Sequence, residues 1–200
     1  MHPISTHFQE KYPDSFQLIN NSYGSFISFT PRDLPQGTVV MTVGLSDFFM
    51  NVHPKHEGEE RNELYFLLPT YFDIKQPKTS WVFEWLGRLS TYVQEKNTWF
   101  GHGHTLPCGK NMDPISENLS QNHLFLSRPM ALSKELTSIF LEDKRVYFLS
   151  VIPIFPDEMD YKQGKGTLSL VKKFETHGVT ELVDEYRKTV LKTKWRFFGK

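Results

Sequence analysis

Apolar residues recur along this chain in two periods, and the clearest run is Ser80–Thr105, SWVFEWLGRLSTYVQEKNTWFGHGHT. Val82, Trp85, Leu86, Leu89 and Val93 fall three and four apart, which places them on one face of a helix. Arg88, Gln94, Glu95 and Lys96 lie off that stripe and are free to face water. Asn97 and Thr98 break the period before Trp99 and Phe100 add two large rings. The pattern predicts a central helix of buried scaffold, Trp85 included, on which the other elements pack. Thr79 or Ser80 is placed to cap it. A reciprocal capping box is absent, because the third residue after Ser80 is Phe83.

Shorter runs predict strands on either side. Tyr23–Thr30 alternates in part, Thr38–Val43 is β-branched, and Asn62–Leu68 is closed by Pro69. The last two are able to pair across Val52–Arg61, a charged loop rich in breakers. His123–Ser127 is a short strand stopped by Pro129, and Leu136–Leu141 fits strand or helix ahead of a turn at 142–144. Arg145–Ile154 is the strongest strand, expected at the centre of a sheet, with pairing weakened at Pro153. Residues 1–22 read as a short helix before Pro13 or a loose arm.

From Pro156 the pattern turns helical. Pro156, Asp157 and Glu158 suit a first turn. Gly164–Thr167 punctuates, and Leu168, Leu170, Val171 and Phe174 form a second face ending near Gly178. A final helix is expected over about 180–194, capped by Thr180, with Leu182, Tyr186 and Val190 four apart. Its acidic residues come first and its basic residues last, in the order that suits the helix dipole. The sum is an α+β fold: a mixed, mainly antiparallel sheet with helices packed on one side. It is expected to form a single domain over 1–200, with a core at about 23–176.

Composition narrows the function classes. Lys+Arg and Asp+Glu number 23 each, so no net charge draws the chain to nucleic acid or an anionic membrane. Cys108 is the single cysteine, which excludes an intramolecular disulfide. The first residues carry neither a basic start nor an apolar run, as a signal peptide would. The longest apolar stretch, 147–155, is far below the roughly 20 residues that span a bilayer. A soluble, cytoplasmic protein is expected.

Candidate chemistry is sparse. His102, His104 and Cys108 carry zinc-ligand atoms, and on a strand the two histidines would share a face. The set lacks a fourth ligand and any standard zinc spacing; the competing reading packs both histidines on aromatics. Cys108 as a nucleophile would need a positioned base and an oxyanion site. His53, His56 and Glu57 sit in the charged loop and lack the helical spacing of a zincin. Gly164–Thr167, GKGT, is a turn rather than a P-loop. The end of the chain interleaves Lys192, Lys194, Arg196 and Lys200 with Trp195, Phe197 and Phe198, a composition that can meet single-stranded nucleic acid or a membrane surface.

The central run, with its Trp-led helix, its YV…NT exit and its GxH turn, resembles the suppressor of fused family. Three more segments agree in order. VVMTVGLSDFFM at 39–50 is similar to the family's T-x-G-(L/M)-S segment, and RNELYFLLP at 61–69 to its EL strand before a proline. Residues 146–171 are similar to its hydrophobic strand, acidic helix start and Gly-separated helix. The resemblance implies a mixed α+β domain with no known catalytic activity and no cofactor. In animals such proteins hold a transcription factor in the cytoplasm, clamping a short strand of it between this domain and a second one. A tyrosine at the helix exit and an acidic residue beside the later histidine contact that peptide. Tyr92 matches the first; the acidic position falls on Gly103, while its neighbour is His104. The second domain has no counterpart here. Single-domain members, mainly bacterial, look like immunity proteins that neutralise secreted toxins by binding. The expectation is therefore a non-enzymatic domain with a protein partner, a cognate toxin, and with Tyr92 and His104 as binding residues. The alternative is a metal-binding protein or hydrolase-like enzyme using His102, His104 and Cys108.

Overall fold

The computed structural model describes residues 1–109, 111–134, 136–141 and 144–191. Helix α1 (Pro3–Lys11) leads into strands β1 (Gln17–Asn21), β2 (Gly24–Phe29), β3 (Gly37–Thr42) and β4 (Asn62–Pro69). Helix α2 (Trp81–Glu95) follows, then β5 (Thr105–Pro107), β6 (His123–Ser127), β7 (Ser138–Leu141) and β8 (Lys144–Ile154). Helices α3 (Pro156–Lys165) and α4 (Thr167–Thr176) come last. The described strands form one sheet in the order β1-β2-β3-β4-β8-β6-β5. Strand β7 pairs with the first part of β8, through Ser138↔Tyr147 to Leu141↔Lys144, and β6 pairs with the later part. All of these pairings are antiparallel except β4 with β8, which is parallel.

The α+β architecture with a mixed, mainly antiparallel sheet is as the pattern predicts, but helices cover both faces rather than one. Strand β4 shows why. Its apolar run does not alternate, and all eight of its residues are buried. Leu64, Phe66 and Leu68 meet α2 through Val82, Leu86, Leu89 and Val93. Tyr65 and Leu67 point the other way, into a cluster with Ile4 and Phe8 of α1. Further along that second face Leu170 and Phe174 of α4 cover Phe125, Ile152 and Ile154. A continuous apolar strand needs a cover on each side. The first residues are a helix rather than a loose arm: Phe8 stacks on Phe29 at 4.8 Å and meets Phe148 edge-on.

Loops close over the sheet by bonding to three fully buried glutamates, Glu63, Glu158 and Glu181. Glu63 accepts from the hydroxyls of Thr42 and Ser46 and from the N–H groups of Gly44 (3.0 Å) and Ser46 (3.1 Å). Burial raises its carboxyl above the usual range, and these four bonds pull it back in part. Glu181 accepts from the N–H groups of Met130 (3.1 Å), Ala131 (2.8 Å) and Leu132 (2.9 Å). Beside it, burial first and the Glu181 charge second push the Tyr65 hydroxyl well above its ordinary value.

These contacts overturn the final helix. Residues 180–191 form no helix; 192–194 and the basic tail through Lys200 lie outside the described residues, as do Glu142 and Asp143 of the turn expected at 142–144. Between 180 and 191 the charge order suits a helix, yet tertiary acceptors take the donors a helix would need. Val183 N–H donates to Leu67 at 2.8 Å, and Val190 N–H to Glu158 at 3.0 Å. Arg187 places both terminal nitrogens on Glu158, at 2.7 and 2.8 Å, and donates to the Pro153 carbonyl at 2.7 Å. Its side chain is 8% exposed and lies over the rings of Phe155 and Phe174. The chain from Val179 to Leu191 is thus a pinned strap.

Removing one partner of a buried ion pair strands the other charge, at about 3–5 kcal/mol. Arg187→Met should lower unfolding stability by that order in urea titrations. The double variant Arg187→Met/Glu158→Leu should recover part of the loss, a coupling that a simple packing defect would not show.

Candidate functional site

A groove of about 620 Å³ runs along the outer face of α2. Tyr23 of the β1–β2 turn walls one side and Leu106 and Pro107 of β5 the other; Trp85, Leu89 and Tyr92 of α2 lie between them. Gly87 explains how the turn comes so near the helix. A Cβ there would stand 2.5 Å from the Tyr23 carbonyl oxygen, so any side chain would push the turn away. Strand β5 ends the sheet order, so its outer edge has no strand partner among the described residues.

Two fixed groups frame the groove. Trp85 donates its indole N–H to the Ile115 carbonyl at 3.1 Å, and Arg88 lies over its ring at 4.8 Å while pairing with Glu84. Trp85 is therefore a partly buried groove wall packed against the core, not the fully buried scaffold that the stripe predicts; Val82, Leu86, Leu89 and Val93 fill that role. Tyr92 is 44% exposed and its ring lies parallel to Phe100. The expected cap is in place only by position: the Ser80 side chain makes no cap bond, and Thr79 bonds the Asp73 and Gln76 carbonyls.

The second expected binding residue, His104, does not line this groove. Its ring meets Trp99 at 4.3 Å, and Trp99 also meets His56 of the charged loop at 4.7 Å. His102 turns toward Arg128, whose backbone N–H donates to Nδ1 at 3.2 Å, and Phe125 meets its ring edge-on. Cys108 is buried, and burial pushes its thiol up to about 12, so the thiolate needed of a nucleophile or metal ligand is disfavoured. His53 accepts from Lys55 N–H, and His56 sits 3.3 Å from Glu59, whose carboxylate also pairs with Arg128. Among the described residues no three His, Cys, Asp or Glu side chains are grouped to hold a metal ion. His102 and His104 each meet an aromatic ring, in line with the packed alternative.

The buried glutamates and the groove walls at Tyr23 and Leu106 escaped the sequence pattern. One signal was legible: Glu63 interrupts an otherwise apolar strand, and a charge there needs donors.

The fold and its motifs define a suppressor of fused domain. The family model for Suppressor of fused protein (SUFU) matches residues 23–188, and the chain belongs to that family. A Neisseria gonorrhoeae protein described as a suppressor of fused homologue superposes with a TM-score of 0.71 at 20% identity, over 94% of this chain and 95% of that one. The Sufu–Fu complex structure matches at 0.67 and 15% identity, over 94% and 90%. Drosophila Suppressor of Fused matches at 0.67 and 16% identity; this chain spans half of its length. No curated protein is matched by the sequence. No helix among the described residues is long and apolar enough to cross a membrane.

Burial is the first cause that lowers the pKa of His104, with Lys162 next. The folded protein then holds fewer protons there than the unfolded chain, so this stabilisation is present above 6.5 and is lost as pH falls below it. The stability advantage of the parent over His104→Gln should shrink between pH 7.5 and 5.5 in paired urea titrations. The Cys108 thiol should react with a disulfide reagent only after denaturant is added, as followed by absorbance.

Proposed function

We propose that this protein is a non-enzymatic protein-binding domain, that its binding face is the α2–β5 groove, and that it serves as an immunity protein against a cognate bacterial toxin. The observation that carries the reading is the groove itself: a preformed, mostly apolar trough beside an open strand edge, with an exposed tyrosine at its lip. Such a trough suits an extended polypeptide, whose backbone pairs with an edge while its side chains fill pockets. Tyr92, the residue that the family resemblance names for peptide contact, stands in it. A related Sufu has been crystallised in complex with Fu, which supports a protein as the partner class. The non-enzymatic part draws support from His102, His104 and Cys108, which are engaged in packing and backbone bonds instead of facing a common cleft.

Affinity in such an interface concentrates in a few central anchors, and losing one costs about 2 kcal/mol or more. If the neighbouring gene encodes a toxin, co-expression of this protein should restore growth to cells that express it. Tyr92→Ala and Leu106→Asp should each weaken the purified complex at least about tenfold by calorimetry. A complex unaffected by both variants would remove the groove from the interface. A turnover activity abolished by Cys108→Ala or His104→Ala would defeat the binding-protein account.

A further inference from the structure

The ring of Trp85 is fixed in the groove wall by the loop between β5 and β6, and that loop is itself tied elsewhere. The indole N–H donates to the Ile115 carbonyl at 3.1 Å, and Ile115 N–H donates to the Gln121 carbonyl at 2.8 Å. The Gln121 side chain carries the connection onward, for its Nε2 reaches the Asp184 carbonyl of the strap at 3.4 Å. One residue earlier, Val183 N–H donates to the Leu67 carbonyl of β4 at 2.8 Å. A run of bonds thus leads from the sheet, through the strap and the loop, to an aromatic ring of the groove. The neck of the loop is closed separately. Cys108 N–H donates to the Asn122 carbonyl at 2.9 Å, and Asn122 Nδ2 to the Met112 carbonyl at 3.1 Å. Neither neck bond involves Ile115, whose own N–H is held by Gln121.

Packing follows the same route. Ile115, Leu119 and Val183 are buried in the cluster that α2 and β4 share, and Trp85 packs against it. Gln121 is the polar residue at this place. It is 1% exposed, and its Oε1 is buried with no donor among the described residues. An acceptor in that state opposes folding, and an apolar side chain of similar shape would avoid the penalty. Stability is therefore a poor account of the amide. What it supplies is direction: its N–H fixes the loop to one carbonyl of the strap, whereas apolar contact alone is non-directional.

We propose that Gln121 is a positioning residue of the α2–β5 groove: it locks the loop to the strap, so that the Ile115 carbonyl holds the Trp85 ring in the wall. Among the described residues no member of the strap lines the groove. The strap nonetheless sets the shape of the groove from a distance, through Gln121. This role rests on the groove being the binding face, and its test needs no partner.

Gln121→Met keeps the side-chain length and removes the donor. In the full chain, exchange of the Trp85 indole proton with water, followed by NMR and assigned with Trp85→Phe, should quicken about fivefold. The indole protons of Trp81 and Trp99 should keep their rates. So should the backbone amides of Leu64 and Phe66 in β4, which exchange by global opening. Stability in urea should equal or exceed that of the parent, which a purely structural role of the amide would not give. Gln121→Leu repeats the measurement with a second apolar side chain. The proposal is overturned if the Trp85 rate is unchanged in both variants, if Trp81 and Trp99 quicken with it, or if urea stability falls and the β4 amides quicken. An unchanged Trp85 rate would remove Gln121 and leave the groove as binding face, which Tyr92→Ala and Leu106→Asp test independently.

Discussion

Strands β4 and β8 lie side by side with apolar side chains on both faces, and the rest of the structure answers to that burial. A strand that meets no water needs a layer above and below it, so α2 takes one face and α1 and α4 share the other. The connecting loops must then cross dry ground, where an unpaired N–H costs about 1–3 kcal/mol. Three carboxylates meet that need. Glu63 gathers the loop after β3, Glu181 the loop after β6, and Glu158 the end of the strap. Each is a charge in the interior, tolerable only because donors converge on it.

The Glu63 site also gives the family motifs a physical meaning. The T-x-G-L-S segment contributes Thr42, Gly44 and Ser46, and the EL strand contributes the acceptor. Two stretches that look like separate signatures are the two halves of one bonded unit. Gly44 belongs there for a further reason: its φ of 97° lies in the left-handed region, where residues with a Cβ are strained.

Elements governed by local period were legible from the residues alone. The α2 stripe, the apolar strands and the Pro156 helix start follow from spacing, and the structure keeps them within a residue or two. Features decided by distant partners were not. Residues 180–191 have the capping and charge order of a helix, but Leu67 and Glu158 claim their donors. Trp85 has the right spacing for burial, yet a hydrogen bond to Ile115 holds it at the edge of a groove. The groove itself arises where a turn, a helix and an edge strand meet, and no single stretch of sequence contains it. Tyr92 could be singled out only by its likeness to a family position.

Gly87 carries a consequence for how such a domain diversifies. With the Tyr23 backbone seated directly on the helix, the separation of turn and helix is fixed by the main chain. The trough is a mould of constant gauge. Relatives that share this glycine and meet other partners would therefore differ in what decorates the walls, not in how far apart the walls stand. Exchanging side chains at the rim is then the economical way to redirect recognition, with the scaffold left untouched.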